Sequence, residues 1–262
     1  MAGFDDYGER VIDYLENTIF QTIVPSNEVA AVLVEPIQGE GGYIVPTPGF
    51  FPALRELCDK YGILLIVDEV QSGIGRTGKW WGIEHFGVEP DIICSAKGIA
   101  SGLPLGAIIA RDSIMKSWQP GAHGNTFGGN PISCAASLAT LDLLGDAQGK
   151  GGMIENAAEV GQYIMDALEE IKPHHPSIGD IRGLGMMIGI ELVEDQQTRK
   201  PAKKLRDEVV HRTFDNGLLM LGCGTSTLRM MPPLMLDQSM ADEALQIFDK
   251  SLTEAESAHN LN

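Results

Sequence analysis

Two residues at the ends of neighbouring apolar runs carry the most chemical weight in this sequence. The run 63–67 stops at Asp68-Glu69, and the run 91–95 leads into Ala96-Lys97-Gly98. A short apolar run bounded by Gly62 and a carboxylate reads as a strand buried on both faces, as in parallel sheets. Ligands of open α/β sheets lie outside the carboxyl ends of the strands, so the acid and the lysine are expected in one crevice. Lys97, flanked by small residues and with no ion-pair partner evident along the chain, has the setting of a Schiff-base lysine. Taken singly, Asp68 reads equally as a turn cap and Lys97 as a surface lysine.

Other residues extend this chemistry. A lysine that holds an aldehyde and a carboxylate that keeps a pyridine nitrogen protonated are what pyridoxal phosphate requires of a protein. Thr126 sits among glycines in HGNTFGGNP, where a hydroxyl and backbone N–H groups can bind phosphate. Arg229, in TLRMMPPL, is a cation within an apolar stretch and needs a partner; its fork suits a carboxylate bidentately. Glu35 ends a third apolar run, 30–34, and Glu40 lies in the Gly-rich loop just beyond it.

Four motifs in this order, VEPIQGEGG, LLIVDEVQSGIGRTG, PDIICSAKGIASGLPLGA and HGNTFGGNP, make the chain resemble the class III aminotransferases. These are fold-type I pyridoxal-phosphate enzymes that include 4-aminobutyrate, ornithine and acetylornithine aminotransferases. The resemblance implies that Lys97 binds pyridoxal 5'-phosphate and moves protons, and that Asp68 partners its ring nitrogen. It further implies that Val70 packs under the ring and that Gln71 bonds near its phenolic oxygen. Thr126 would reach the cofactor phosphate of a neighbouring subunit in a homodimer. Glu40 would neutralise Arg229 when an ω-amino donor is bound and swing away for glutamate; a structural ion pair is the plainer reading of the two. Glu35 is open between support of the site and simple strand termination. The expected reaction passes an ω-amino group to 2-oxoglutarate. A racemase or other isomerase on the same scaffold would use the same Lys97 and Asp68. The family's chain also begins well before Met1 and carries a phosphate-holding loop there, so a non-catalytic fragment is a third reading.

Composition limits the partners. A formal net charge of -17 argues against nucleic acid or an anionic membrane surface. The four cysteines are far apart, without zinc spacing, and read as buried thiols, so no metal is expected. With neither a signal peptide nor a span-length apolar stretch, the expected location is the cytoplasm.

The elements that must position these residues follow from periodicity. Helices are expected over 5–20, 48–61, 132–144, 154–171, 202–216 and 239–257. Strands are expected over 30–34, 63–67 and 91–95, with 105–110 returning away from the site. Beyond them lie a strand pair or bent strand in 181–192, and short strands over 218–220 and 227–231. Gly149-Lys150-Gly151-Gly152 marks the clearest boundary. The fold class is therefore α/β: an incomplete large domain over 1–148 with a mostly parallel sheet, then a smaller α+β domain over 149–262. His174 and His175, beside two prolines, read as loop.

Overall fold

In a computed structural model, which describes residues 7–145 and 152–259, the chain does not divide at one point. One unit comprises Met1–Pro36, Pro46–Ile74 and Trp80–Leu144; the other comprises Ile37–Val45, Gly75–Lys79 and Gly145–Asn262. Two short segments from the first half of the sequence thus belong to the second unit. The glycine-rich boundary itself falls largely on residues 146–151, outside the described ones.

In unit 1, α1 (Tyr7–Tyr14), a π-helical turn (Leu15–Ile19) and α2 (Phe20–Thr22) follow one another, where one uninterrupted helix was expected. Nothing in their side chains explains the π turn. Then come β1 (Ala31–Val34), α3 (Phe50–Tyr61), β2 (Leu64–Asp68), β3 (Ile92–Ser95), β4 (Ala107–Ala110), α4 (Asp112–Met115) and α5 (Pro131–Leu144). Helix α3 buries Phe51, Leu54, Leu57 and Cys58 on one face and stops at Gly62. The left-handed φ of +67° there lets the N–H of Ile63 reach the Cys58 carbonyl at 2.9 Å and turns the chain into β2.

The sheet runs β1-β2-β3-β4, with β1, β2 and β3 parallel and β4 antiparallel to β3. Strand β2 differs from expectation. Leu65 and Val67 are fully buried against Phe51, Leu54 and Leu57, whereas Leu64 and Ile66, on the other face, are only half-buried. The helices of unit 1 cover one face of the sheet, so β2 alternates rather than being buried on both sides.

Unit 2 contains α6 (Met153–Ile171), β5 (Ile178–Leu184), β6 (Met187–Leu192), α7 (Lys203–Asp215), β7 (Leu221–Cys223), β8 (Thr227–Met230) and α8 (Gln238–Ala258). Its antiparallel sheet has the order β5-β6-β8-β7. The apolar stretch 181–192 resolves into the hairpin β5–β6. The short strand expected at 218–220 lies at 221–223 instead. Leu218 is still tied to the end of α7 through its N–H bond to Thr213, and pairing with β8 starts only at Leu221.

His175 lies in the loop before β5, as expected, but it is buried rather than solvent-facing. It is 2% exposed and clasped between Glu256 and Asp249, 2.7 Å from each. Glu256 also accepts the N–H and hydroxyl of Ser177. Burial alone would lower the His175 pKa, but hydrogen bonds to Glu256 and Asp249 outweigh it and raise the value. The imidazolium clasp is therefore at full strength below the unfolded histidine pKa of about 6.5 and weakens as pH rises through the raised folded value. Chemical denaturation across pH should find wild type more stable than His175→Gln by the widest margin below about pH 6.5. That margin should narrow as the pH is raised; a margin constant across pH would mean that the ring is neutral.

Candidate active site

The parallel pairing sets one chemical edge in unit 1. Val34 pairs with Val67, and Asp68 pairs with Cys94. Glu35 and Asp68 therefore leave β1 and β2 side by side, and Lys97 lies three residues past the partner of Asp68. Lys97 does not end a strand. It is exposed and opens a short 3-10 turn, Lys97–Ala100, with φ at +45°. A left-handed lysine costs on the order of 1–2 kcal/mol.

Asp68 is half-buried and accepts the Val70 N–H at 3.0 Å through one oxygen. The next residue, Glu69, is fully buried and folds the following loop back on the strand. It accepts Ser72 Oγ at 2.6 Å, the Gly82 N–H at 2.9 Å and the Ile83 N–H at 2.8 Å. Burial pushes its pKa up, against these donors. Gly73 is required in that loop: a Cβ there would lie 2.7 Å from the Glu69 carbonyl and 2.9 Å from the Trp81 ring.

Two polar atoms at this edge are buried without a hydrogen-bond partner: Oε1 of Gln71 and Oγ of Ser95. Buried polar groups are seldom left unpaired, and such atoms beside a lysine and a carboxylate are atoms for a ligand to satisfy. Rotation of the Gln71 amide lets that position donate as well as accept. The residues present thus fit a planar cofactor with ring nitrogen, hydroxyl and aldehyde. Ser95 also lines a cavity of about 640 Å³ with Ala107, Trp118, His123, Asn125 and Phe127. Thr126 is exposed on the loop that supplies the last two. Asn125 is occupied structurally, accepting the Phe127 N–H at 3.1 Å.

A second set of groups lies in unit 2. Arg229, 15% exposed on β8, donates through Nη1 to Oε1 of Glu40, whose side chain is 71% exposed. The Arg229 Nε is buried without a partner. Burial works against its charge, but the hydrogen bond to Glu40 more than offsets this and its pKa is raised. Beside it Tyr43 is fully buried, its hydroxyl donating to Met231 Sδ at 3.2 Å, and burial pushes its pKa up to about 12. The arrangement is a cationic fork paired with an exposed carboxylate, and the fork suits a ligand carboxylate. Glu69, Ser95 and Tyr43 escaped sequence reasoning. Only the run Val67-Asp68-Glu69, with a second acid where the strand leaves the sheet, carried a trace of the first.

Among the described residues, no cluster of three or more His, Cys, Asp or Glu could hold a metal ion. Nor is any helix there long and apolar enough to cross a membrane. All four cysteines are free.

The family model for class-III aminotransferases matches residues 4–252. The chain is 42% identical over 250 residues to an alanine/serine racemase of Pyrococcus horikoshii, covering 95% of this chain and 51% of that protein. It is also 42% identical over 239 residues to a 4-aminobutyrate aminotransferase of Escherichia coli (strain K12), covering 90% and 55%. An (S)-enantioselective omega-transaminase from Thermomicrobium roseum superposes with a TM-score of 0.84 at 35% identity, covering 98% of this chain and 56% of that one. The chain spans about half the length of these relatives.

Proposed function

Because this chain belongs to the class-III aminotransferases, we propose that it supplies the lysine, acid and carboxylate-binding arginine of a pyridoxal-phosphate transaminase. The reaction passes an ω-amino group from a 4-aminobutyrate-like or ornithine-like donor to 2-oxoglutarate. The observation that carries this reading is the common carboxyl edge of β1, β2 and β3, with Asp68, Lys97 and the unpartnered atoms of Gln71 and Ser95. When bound, pyridoxal phosphate, the family's cofactor, supplies a ring that takes up the electrons of the bond broken at the substrate carbon.

Asp68, one oxygen held by the Val70 N–H, keeps a proton on the ring nitrogen. Val70 would support the ring, and Gln71, whose Oε1 is buried without a partner, would bond its phenolic oxygen. Lys97 Nζ would anchor the cofactor through its aldehyde, and the same amine, when free, would carry a proton to and from the substrate carbon. Thr126 would bind the cofactor phosphate of the neighbouring subunit in a cytoplasmic homodimer, and Glu35 would support Asp68 from the adjoining strand. Arg229 binds the α-carboxylate of glutamate and 2-oxoglutarate, and Glu40 neutralises it when the donor brings no carboxylate there.

Single turnovers of the holoenzyme, with the two half-reactions timed separately, test the assignment. Glu40→Ala should slow the ω-amine half-reaction and spare the glutamate one; Arg229→Ala should do the reverse. A fully buried pair would cost about 3–5 kcal/mol on losing a partner. With Glu40 71% exposed, about 1–2 kcal/mol, or roughly tenfold, is expected. Equal slowing of both half-reactions by Glu40→Ala would reduce the pair to a structural one.

The likeness to an alanine/serine racemase motivates a second reading, isomerisation of an amino acid with the same Lys97 and Asp68. A racemase consumes no acceptor. Turnover that persists without any 2-oxo acid would favour it over transamination.

A further inference from the structure

Arg182 lies outside every motif that pointed to chemistry, yet each nitrogen of its guanidinium has an acceptor. On β5, with its side chain 19% exposed, it donates through Nε to the Tyr43 carbonyl at 3.1 Å and through Nη1 to Asp180 at 3.0 Å. Its Nη2 faces the Gly42 carbonyl at 2.5 Å, Glu191 at 2.7 Å and the Thr227 hydroxyl at 3.1 Å. Glu191, on β6, also accepts the hydroxyls of Ser226 at 2.6 Å and Thr227 at 2.7 Å. Burial opposes the charges of both Arg182 and Glu191, but these bonds prevail: the arginine pKa is raised and the carboxylate pKa lowered.

The network joins two pieces of chain. Gly42 and Tyr43 directly follow the Gly39–Gly41 turn that bears Glu40, and Thr227 precedes Arg229 by two residues on β8. The turn lies flat on the sheet. A Cβ at Gly189 would come within 2.9 Å of Tyr43 Cβ, and the Gly224 N–H binds the Glu40 carbonyl at 2.8 Å. Tyr43 holds a φ of +52°, a left-handed conformation that an untethered loop would relax, and Gly42 before it sits at +129°, which glycine tolerates. The backbone under Glu40 is thus fixed while its side chain stands in solvent.

We propose that Arg182 is a positioning residue for the Glu40–Arg229 pair. By pinning the Gly42 and Tyr43 carbonyls to β5, β6 and β8, it places Glu40 so that side-chain rotation alone makes or opens the pair. No loop rearrangement is then needed each time a carboxylate-bearing substrate alternates with one that lacks it. The inference rests on reading Arg229 as the substrate-carboxylate fork.

The test is a double-mutant cycle in the holoenzyme. Glutarate, an unreactive dicarboxylate, is titrated calorimetrically, and the two half-reactions are timed. Arg182→Met, like Glu40→Ala, should tighten glutarate and slow the ω-amine half-reaction relative to the glutamate one. The double variant should be no more shifted than the stronger single one, since groups acting through one another are non-additive, here by roughly tenfold. Additive effects overturn the inference, as does a fall in Tm that leaves glutarate affinity and the half-reaction ratio unchanged. If Arg182→Met does not fold, Glu191→Gln, which keeps shape and removes the counter-charge, carries the same cycle with a smaller shift in the same direction. Should Arg229→Ala leave glutarate binding unaltered, the fork reading itself fails. If Arg229→Ala weakens it while Arg182→Met proves additive, only the positioning role fails.

Discussion

Lys97→Ala is expected to abolish the covalent label that borohydride reduction fixes in the presence of pyridoxal phosphate. In wild type a single labelled peptide should contain Lys97, despite ten lysines in the chain. The exposed, left-handed lysine at the mouth of β3 is the reason for this selectivity. Its amine has no partner among the described residues to occupy it. Transamination in the holoenzyme should fall by roughly 10,000-fold or more, because both the anchoring group and the proton carrier are lost. Label distributed over several lysines and unaffected by Lys97→Ala would remove Lys97 from the site.

Asp68→Ala is expected to separate binding from chemistry. The borohydride label on Lys97 should persist, because nothing in its attachment needs a charge at the ring nitrogen. Turnover should drop by roughly a thousandfold or more, about 4 kcal/mol in the barrier, since in the proposed role Asp68 is the acid that would keep the ring nitrogen protonated. Asp68→Asn, which preserves the Val70 N–H contact but not the charge, should behave like Asp68→Ala. Near-normal turnover in Asp68→Asn would point to Glu35 or another acid as the proton holder.

The chemical edge was legible because a short parallel strand announces itself twice, by its apolar run and by the polar residue that ends it. Asp68 and the returning β4 could be read on that basis. The one-sided burial of β2 could not, because an apolar run records preference for the interior and not how many layers cover it. The three-residue slip of β7 has a similar origin. Residues 218–223 are apolar or small throughout, and only pairing with β8 selects Leu221–Cys223. The left-handed turn at Lys97 left no mark, since glycine follows the lysine and does not occupy the strained position.

Polar networks were the least legible. His175 finds its carboxylates 74 and 81 residues away, and Arg182 finds its carbonyls 139 and 140 residues back. A single charged residue in a loop or a strand carries no sign of partners so distant. Arg229 was the exception, because a cation inside TLRMMPPL demands an anion, even one 189 residues earlier.

That separation has a consequence for the order in which the protein can be made. Ile37 and Tyr43 form a small core with Met187 and Cys223, so the segment 37–45 leaves a ribosome long before its own hydrophobic partners exist. During that interval Tyr43 has nowhere to bury its ring, and its left-handed backbone has no sheet to hold it. Pairings this distant in sequence close late and slowly. A polypeptide beginning after residue 151 would lack both segments donated from the first half, and the hollow meant for Tyr43 would stand open. The second unit therefore cannot be complete before the first has already been synthesised, and cutting the chain at its glycine-rich boundary should yield an aggregating product rather than a free-standing domain.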